Sequence, residues 1–212
     1  MQDNKNTFAL IAGGTINDYT VIAPLIKNYF ITIAVDAGLH HCHKMNICPD
    51  IIIGDCDSVS REILNCYSHV PVHKHPVDKD LTDTELAFEY ALHASAEKMT
   101  LFGGLGTRTD HSLSNIYLIS KHPKKAYIET ENEILFSLEG SNEIKCFKGQ
   151  TIGLIPLEKT EGITTKGLKW ELSNATFDKA FMSVSNICLD QSVGIEIKRG
   201  SLLCCLQKGH PL

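Results

Sequence analysis

The 212-residue sequence contains no CxxC pair, no apolar run of membrane-spanning length, no GxxxxGK(S/T) phosphate loop and only 1 tryptophan. Each shortage closes off a class of function. Without the phosphate loop the chain is not a Walker-type kinase. Its 8 cysteines, Cys42, Cys48, Cys56, Cys66, Cys146, Cys188, Cys204 and Cys205, follow no disulfide framework, which reads as reduced, mostly buried thiols of a cytoplasmic protein. No apolar signal segment follows residues 1–6, and no run approaches the ~20 residues of a membrane span. The expectation is a cytoplasmic protein that stays off the membrane. Basic residues are also scarce: 20 Lys and Arg against 25 Asp and Glu leave a formal net charge of -5. That balance argues against sequence-independent binding to nucleic acid, which relies on dense cationic side chains meeting phosphate. A polyphosphate ligand must instead arrive with its metal. What the chain does have is 43% hydrophobic residues, enough for a core without staples.

Apolar runs at residues 8–12 and 30–35 end in Gly13-Gly14 and Asp36-Ala37-Gly38, and Ile51-Ile52-Ile53 runs straight into Gly54-Asp55. Uninterrupted apolar runs entering glycine loops are the pattern of parallel strands covered on both faces. Stretches of helix length at residues 21–28, 40–45 and 61–66 alternate with them, and residues 71–75 make a weaker fourth strand. Thr82-Asp83-Thr84-Glu85 has the spacing of a capping box, and Leu86, Ala87, Tyr90, Ala91 and Ala94 then repeat at helical period, predicting a helix to about residue 98. A fifth strand at 99–102 leads into Gly103-Gly104-Leu105-Gly106, and a last helix at 110–120 opens on an acidic cap. After about residue 124 the pattern changes to short alternating runs punctuated by glycine, at 126–130, 133–138, 143–147, 151–155, 179–184, 194–198 and 202–206. The expected organisation is an α/β domain with a parallel sheet over residues 1–124, then an all-β domain over 125–212.

Three acidic motifs fall at the carboxyl ends of the expected strands, where such sheets bind ligands. In Gly54-Asp55-Cys56-Asp57-Ser58 two carboxylates stand two residues apart, on one side of an extended segment. Their mutual repulsion is tolerable when a hard cation such as Mg²⁺ neutralises them, although a turn capping the helix at Arg61 accounts for this motif taken alone. In Asp80-Leu81-Thr82-Asp83 a helix N-terminus favours an anion; capping explains Thr82 and Glu85 but not Asp80 and Asp83. In Gly106-Thr107-Arg108-Thr109-Asp110-His111, Arg108 offers phosphate a planar donor fork. His40-His41-Cys42-His43 suggests zinc at first sight, but neighbours on a helix point in different directions and no partner pair stands at ligand spacing. Trp170 and Ser183-Val184-Ser185-Asn186 read as structural by periodicity alone.

Taken in order and spacing, Asp36-Ala37-Gly38, the run from Pro49 to Ser58, Asp80-Leu81-Thr82-Asp83-Thr84-Glu85 and Gly106-Thr107-Arg108-Thr109-Asp110-His111 resemble the thiamine pyrophosphokinase family. Thr165-Lys166-Gly167-Leu168-Lys169-Trp170 and Ser183-Val184-Ser185-Asn186 are similar to its thiamine-binding segments, so the resemblance covers nearly the whole chain. It implies a Rossmann-like N-terminal domain carrying ATP and a β-sandwich-like C-terminal domain that helps bind thiamine at a homodimer interface. The implied reaction transfers the terminal pyrophosphoryl group of ATP, with Mg²⁺, to the hydroxyethyl oxygen of thiamine, giving thiamine diphosphate and AMP. By position the resemblance places Asp55, Asp57 and Asp83 on Mg²⁺, Thr82 and Arg108 on phosphate, and Asp36, Asp80, Asp110 and His111 around the ATP side. Trp170 would stack on thiamine, with Ser183, Ser185 and Asn186 beside it. Thr107 and Cys56 depart from the family's pattern, but neither removes a ligand.

Direct attack at the β-phosphorus fits these residues, because it asks for position and neutralised charge rather than a Ser, Cys or His nucleophile. Asp83 and Asp57 are the candidate proton acceptors. One rival is a pyrophosphokinase acting on a hydroxymethylpterin, which would keep the acidic motifs; Trp170 favours thiamine. Another is a non-catalytic thiamine or nucleotide sensor, and the intact acidic set speaks against it.

Overall fold

The structure, a computed structural model, describes residues 5–74, 81–106 and 108–209. Asp80, Thr107 and the residue-75 end of the expected fourth strand lie outside the described residues. The chain divides into two units. One runs to Leu118 and includes Tyr127–Glu131; the other holds Ile119–Ala126 and everything from Asn132 onward. The expected boundary after residue 124 falls in the segment where the chain passes between them.

The first unit alternates strands and helices: β1 (Thr7–Ile11), α1 (Tyr19–Ile26), β2 (Ile31–Val35), α2 (Gly38–Lys44), β3 (Ile51–Ile53), α3 (Arg61–Cys66), β4 (Val72–His73), α4 (Asp83–His93), β5 (Lys98–Phe102), α5 (Thr109–Ser120) and β6 (Ala126–Glu129). Its strands lie in the order β6-β5-β1-β2-β3-β4, and β1 pairs in parallel with both β2 and β5. Strand alternation sends Ala9 and Ile11 into a cluster with Ile22, Leu39 and Phe102. Phe8 and Leu10, also buried, point to the opposite face. Helix α4 packs on β1, β2 and β3, and its fully buried Phe88 contributes about 2 kcal/mol of transfer free energy. The central strands β1, β2 and β3 are thus almost entirely buried, while the edge strand β4 is exposed.

Helix α4 starts as expected. The Thr82 hydroxyl accepts from the Glu85 N–H and the Glu85 carboxylate accepts from the Thr82 N–H, a complete capping box. It ends five residues earlier than the periodicity suggests, at His93. Ser95 turns left-handed (φ 62°), the Ser95 N–H donates to the Leu92 carbonyl and the Ala96 N–H to the Ala91 carbonyl. This is a Schellman closure, and hydrophobic spacing carries no signal for it.

The second unit is antiparallel. Strands β7 (Glu133–Leu138), β9 (Thr151–Pro156), β12 (Ser183–Ile187) and β14 (Leu202–Gln207) lie in the order β12-β9-β14-β7. Strands β8 (Ser141–Lys145), β10 (Thr160–Lys166), β11 (Ala175–Phe177) and β13 (Ser192–Glu196) lie in the order β11-β10-β13-β8. Side chains such as Ile152, Leu154, Ile163, Phe177, Val193 and Cys204 fill the core. The strand expected at 179–184 begins only at Ser183. Before it, the Asp178 carboxylate accepts from the Ala180 N–H, and the backbones of Asp178 and Phe181 bond reciprocally in a turn. The strand at Thr160–Lys166 had no clear sequence pattern because its polar positions outnumber the apolar ones, and Ala175–Phe177 had none because it is only 3 residues long.

Candidate active site

In the first unit the chain leaves β1 toward β2 on one side, while β5 returns on the other, so their carboxyl ends form the topological switch point of the sheet. A cavity of about 270 Å³ opens there. Its walls come from Gly13-Gly14 after β1, Asp36-Ala37 after β2, Thr82-Asp83-Thr84 at the start of α4, and Gly103 to Gly106 after β5, with Arg108, His111, Ser112 and Asn115. Segments spread along the chain from Gly13 to Asn115 thus meet at one edge of the sheet.

The two glycine loops are bonded to each other. Gly14 N–H donates to the Gly103 carbonyl (2.8 Å) and Thr15 N–H to the Leu105 carbonyl (2.7 Å), which extends the ladder beyond β1 and β5. A Cβ on Gly14 would run into both carbonyl oxygens, so only glycine allows this approach. Helix α5 braces the second loop from below: Asn115, buried in its helix, donates to the Gly104 carbonyl (2.7 Å), and the Gly106 N–H donates to Ser112 Oγ (3.1 Å). Neither residue stands out in the sequence. The available signal was a polar residue on the apolar face of α5.

Asp36, Asp55 and Asp57 each present an oxygen within 4.8 Å of the others. The grouping depends on unusual backbone. Asp36 (φ 45°) and Cys56 (φ 60°) are left-handed, and Gly54 (φ 133°) passes so close to Asp36 that a Cβ there would sit 3.1 Å from the Asp36 Cβ. Asp57 N–H donates to Asp55 Oδ1, and Ser58 Oγ donates to Asp36 Oδ2. Asp36 Oδ1 is buried with no partner. A buried carboxylate oxygen without a donor, beside two further carboxylates, is a donor set suited to a hard, oxygen-preferring cation. Asp83 lies outside this trio; of the trio, Asp36 lines the cavity together with Asp83. Burial first, then the carboxylates of Asp36, Asp55 and Asp83, push the Cys56 thiol above its ordinary range, so all three charges bear on one spot. The motif reading gave Asp36 only a lining role. Its signal was the shared pattern of a strand running into Asp and a nearby Gly.

Arg108 lines the cavity with its guanidinium forked onto Asp110, Nη2 to Oδ2 at 2.6 Å and Nε to Oδ1 at 3.2 Å. Arg108 and then the His111 N–H hold the Asp110 carboxyl down to about 2. Asp110 therefore stays ionised and aims Arg108, while His111 lines the wall itself. Asp80 lies outside the described residues. Thr82 is at the wall, but its hydroxyl is engaged with Glu85. Replacing Thr82 by Ala should therefore cost about 1 kcal/mol of stability, lowering the melting midpoint by a few degrees. Thr82→Ser should restore it, and an unchanged midpoint in Thr82→Ala would show that the cap carries no weight.

In the second unit, Trp170 is 55% exposed with Lys169 Nζ 4.7 Å over its ring. Buried Asn186 holds the Trp170 backbone from both sides, its Oδ1 accepting from the Trp170 N–H and its Nδ2 donating to the Trp170 carbonyl. Nδ2 also reaches Ser183 Oγ at 3.4 Å. Asn186 is consumed in presenting Trp170, whereas Ser185, left-handed at φ 56°, is exposed. The histidine run diverges as helical geometry requires: His40 Nε2 faces the Ser58 carbonyl, His41 faces Gly14, and His43 stacks edge-on to Tyr67. Among the described residues, no helix is long and apolar enough to cross a membrane.

Comparisons with known proteins match both units. Residues 22–130 fit the family model described as thiamin pyrophosphokinase, catalytic domain, and residues 132–202 fit the thiamin pyrophosphokinase vitamin B1 binding domain. Thiamine pyrophosphokinase from Bacillus subtilis is 30% identical over 176 residues, covering 79% of this chain and 82% of that protein. Thiamine pyrophosphokinase 2 of Arabidopsis thaliana is 29% identical over 164 residues, 70% of this chain, and the match spans only 61% of the plant protein's length. The crystal structure of the Bacillus subtilis protein superposes with a TM-score of 0.82 at 25% identity, covering 96% of this chain and 100% of that one. Yeast thiamin pyrophosphokinase shares the fold at a TM-score of 0.83 and 18% identity, covering 97% of this chain and 87% of its own. Matched in order along both units, the chain belongs to the thiamin pyrophosphokinase family.

Proposed function

We propose that this protein transfers the terminal pyrophosphoryl group of ATP to the hydroxyethyl oxygen of thiamine, releasing AMP. The observation that carries this reading is Asp36, which shares a spot with Asp55 and Asp57 and also lines the cavity that holds Asp83, Arg108 and two glycine loops at the switch point of a parallel sheet. Such a site accepts a polyphosphate only with its cation. Asp36, Asp55 and Asp57 fit Mg²⁺ and would hold it, with Asp83 nearby. Bound there, Mg²⁺ supplies neutralisation of phosphate charge.

The chain's own residues do the rest by position. The glycine loops bring backbone close to the phosphates, and Arg108, aimed by Asp110, donates to the charge that grows on the equatorial oxygens. The thiamine oxygen bonds to the β-phosphorus as the bond from that phosphorus to the α,β-bridging oxygen breaks. AMP leaves with that oxygen. We assign the hydroxyl proton to Asp83, because Asp57 belongs to the trio suited to the cation. On the thiamine side, Trp170 offers one face for stacking, the other being occupied by the Lys169 ammonium. Ser183 and Ser185 supply hydroxyls nearby. A homodimer is part of the proposal: Phe181, Met182, Val184 and Leu189 are exposed along with Trp170, an apolar surface suited to a second copy of the chain. Free thiols throughout support a cytoplasmic setting.

Product analysis tests the reading. Protein incubated with MgATP and thiamine is expected to yield AMP and thiamine diphosphate in equal amounts. Formation of ADP with thiamine monophosphate would assign attack to the γ-phosphorus and overturn it.

A further inference from the structure

The histidine run in α2 is unused by the proposed chemistry, yet one of its members reaches the cavity's first glycine loop. His41 Nε2 lies 2.7 Å from the Gly14 carbonyl, and the Tyr19 hydroxyl lies 2.8 Å from His41 Nδ1. A carbonyl only accepts, so Nε2 carries the proton, and Nδ1 then accepts from Tyr19. Burial favours this neutral ring by lowering its basicity. The Tyr19 and His41 rings stand 5.7 Å apart, and Lys44 Nζ lies 5.7 Å from the Tyr19 ring centroid. One imidazole thus has both nitrogens satisfied between α1 and the loop.

The peptide joining Gly14 to Thr15 is held at both ends. Its N–H donates to the Leu105 carbonyl, and its carbonyl accepts from His41. Without His41 the carbonyl would lose its side-chain donor, and glycine at this position places little torsional restraint on the peptide. It could then turn its negative end toward an incoming polyphosphate.

We propose that His41 is a positioning residue for the nucleotide, holding the Gly14 carbonyl so that the glycine loop keeps its shape against the phosphates. The proposal rests on the nucleotide reading of the cavity. It makes no demand on the acceptor side, so its effect is confined to one substrate.

The test is calorimetric binding of α,β-methylene ATP with Mg²⁺ to the full chain. His41→Met removes the donor and is expected to weaken binding about tenfold. His41→Gln restores an N–H close to the place of Nε2 and is expected to recover most of that loss. In steady-state assays the ATP KM of His41→Met should rise by a similar factor, while the thiamine KM stays within about twofold. Equal rises in both, or a Gln variant no better than Met, would reduce His41 to a packing residue and overturn the proposal. Should His41→Met fail to fold, Tyr19→Phe reads the same quantity. About threefold weaker binding is expected from the loss of ring orientation, and unchanged binding overturns the proposal. Wild-type protein that does not bind the probe overturns the nucleotide reading itself, which distinguishes the two failures.

Discussion

Asp57→Asn is expected to lower turnover at least about 100-fold while leaving the protein as stable as before, or slightly more so. The reason is electrostatic. Asp36, Asp55 and Asp57 crowd their oxygens within 4.8 Å, and at that separation in a water-like dielectric each pair repels by about 1 kcal/mol. Removing one charge relieves the folded protein of that repulsion but weakens the grip on a divalent cation. The two effects separate in a melting experiment. Mg²⁺ at about 100 times its Kd should stabilise the wild type by about 2.7 kcal/mol, or several degrees for a chain of this size. The variant should gain much less at the same concentration. Normal turnover in Asp57→Asn, or an equal Mg²⁺ shift in both proteins, would remove Asp57 from the cation site.

The second large effect is expected on the thiamine side. Trp170→Ala should raise the thiamine KM about 10- to 100-fold, the value of one aromatic stacking contact to a heterocycle, with the ATP KM changed less than about twofold. Trp170 is 55% exposed and its backbone is fixed by Asn186 through main-chain groups that alanine retains. Fold stability should therefore hardly move. Trp170→Phe should keep most of the affinity, because the ring face survives. A parallel rise in both KM values would mean that Trp170 acts on the fold rather than on the ligand.

Much of the first unit was legible because its signals are local. Ile51-Ile52-Ile53 running into Gly54 announces a buried strand and its loop, and Thr82 with Glu85 announces the start of α4 three residues apart. The stop of that helix was less legible: Ser95 takes the left-handed position usually given to glycine. The second unit was harder still, since short strands such as Ala175–Phe177 depend on partners far along the chain.

The same division runs through the site. Sequence alone determined which groups stand as candidates for the chemistry: carboxylates and one guanidinium at the ends of strands, and a single tryptophan set apart. It could do so because strand ends, caps and glycine loops are written in neighbouring residues. Only the tertiary structure decided which carboxylates share a spot, bringing Asp36 to Asp55 and Asp57 across the β2 to β3 pairing. It also turned His41, one of three histidines in a run, toward the Gly14 carbonyl. Both outcomes depend on parallel register and helix rotation, which place side chains in space by contacts between segments that no local pattern encodes.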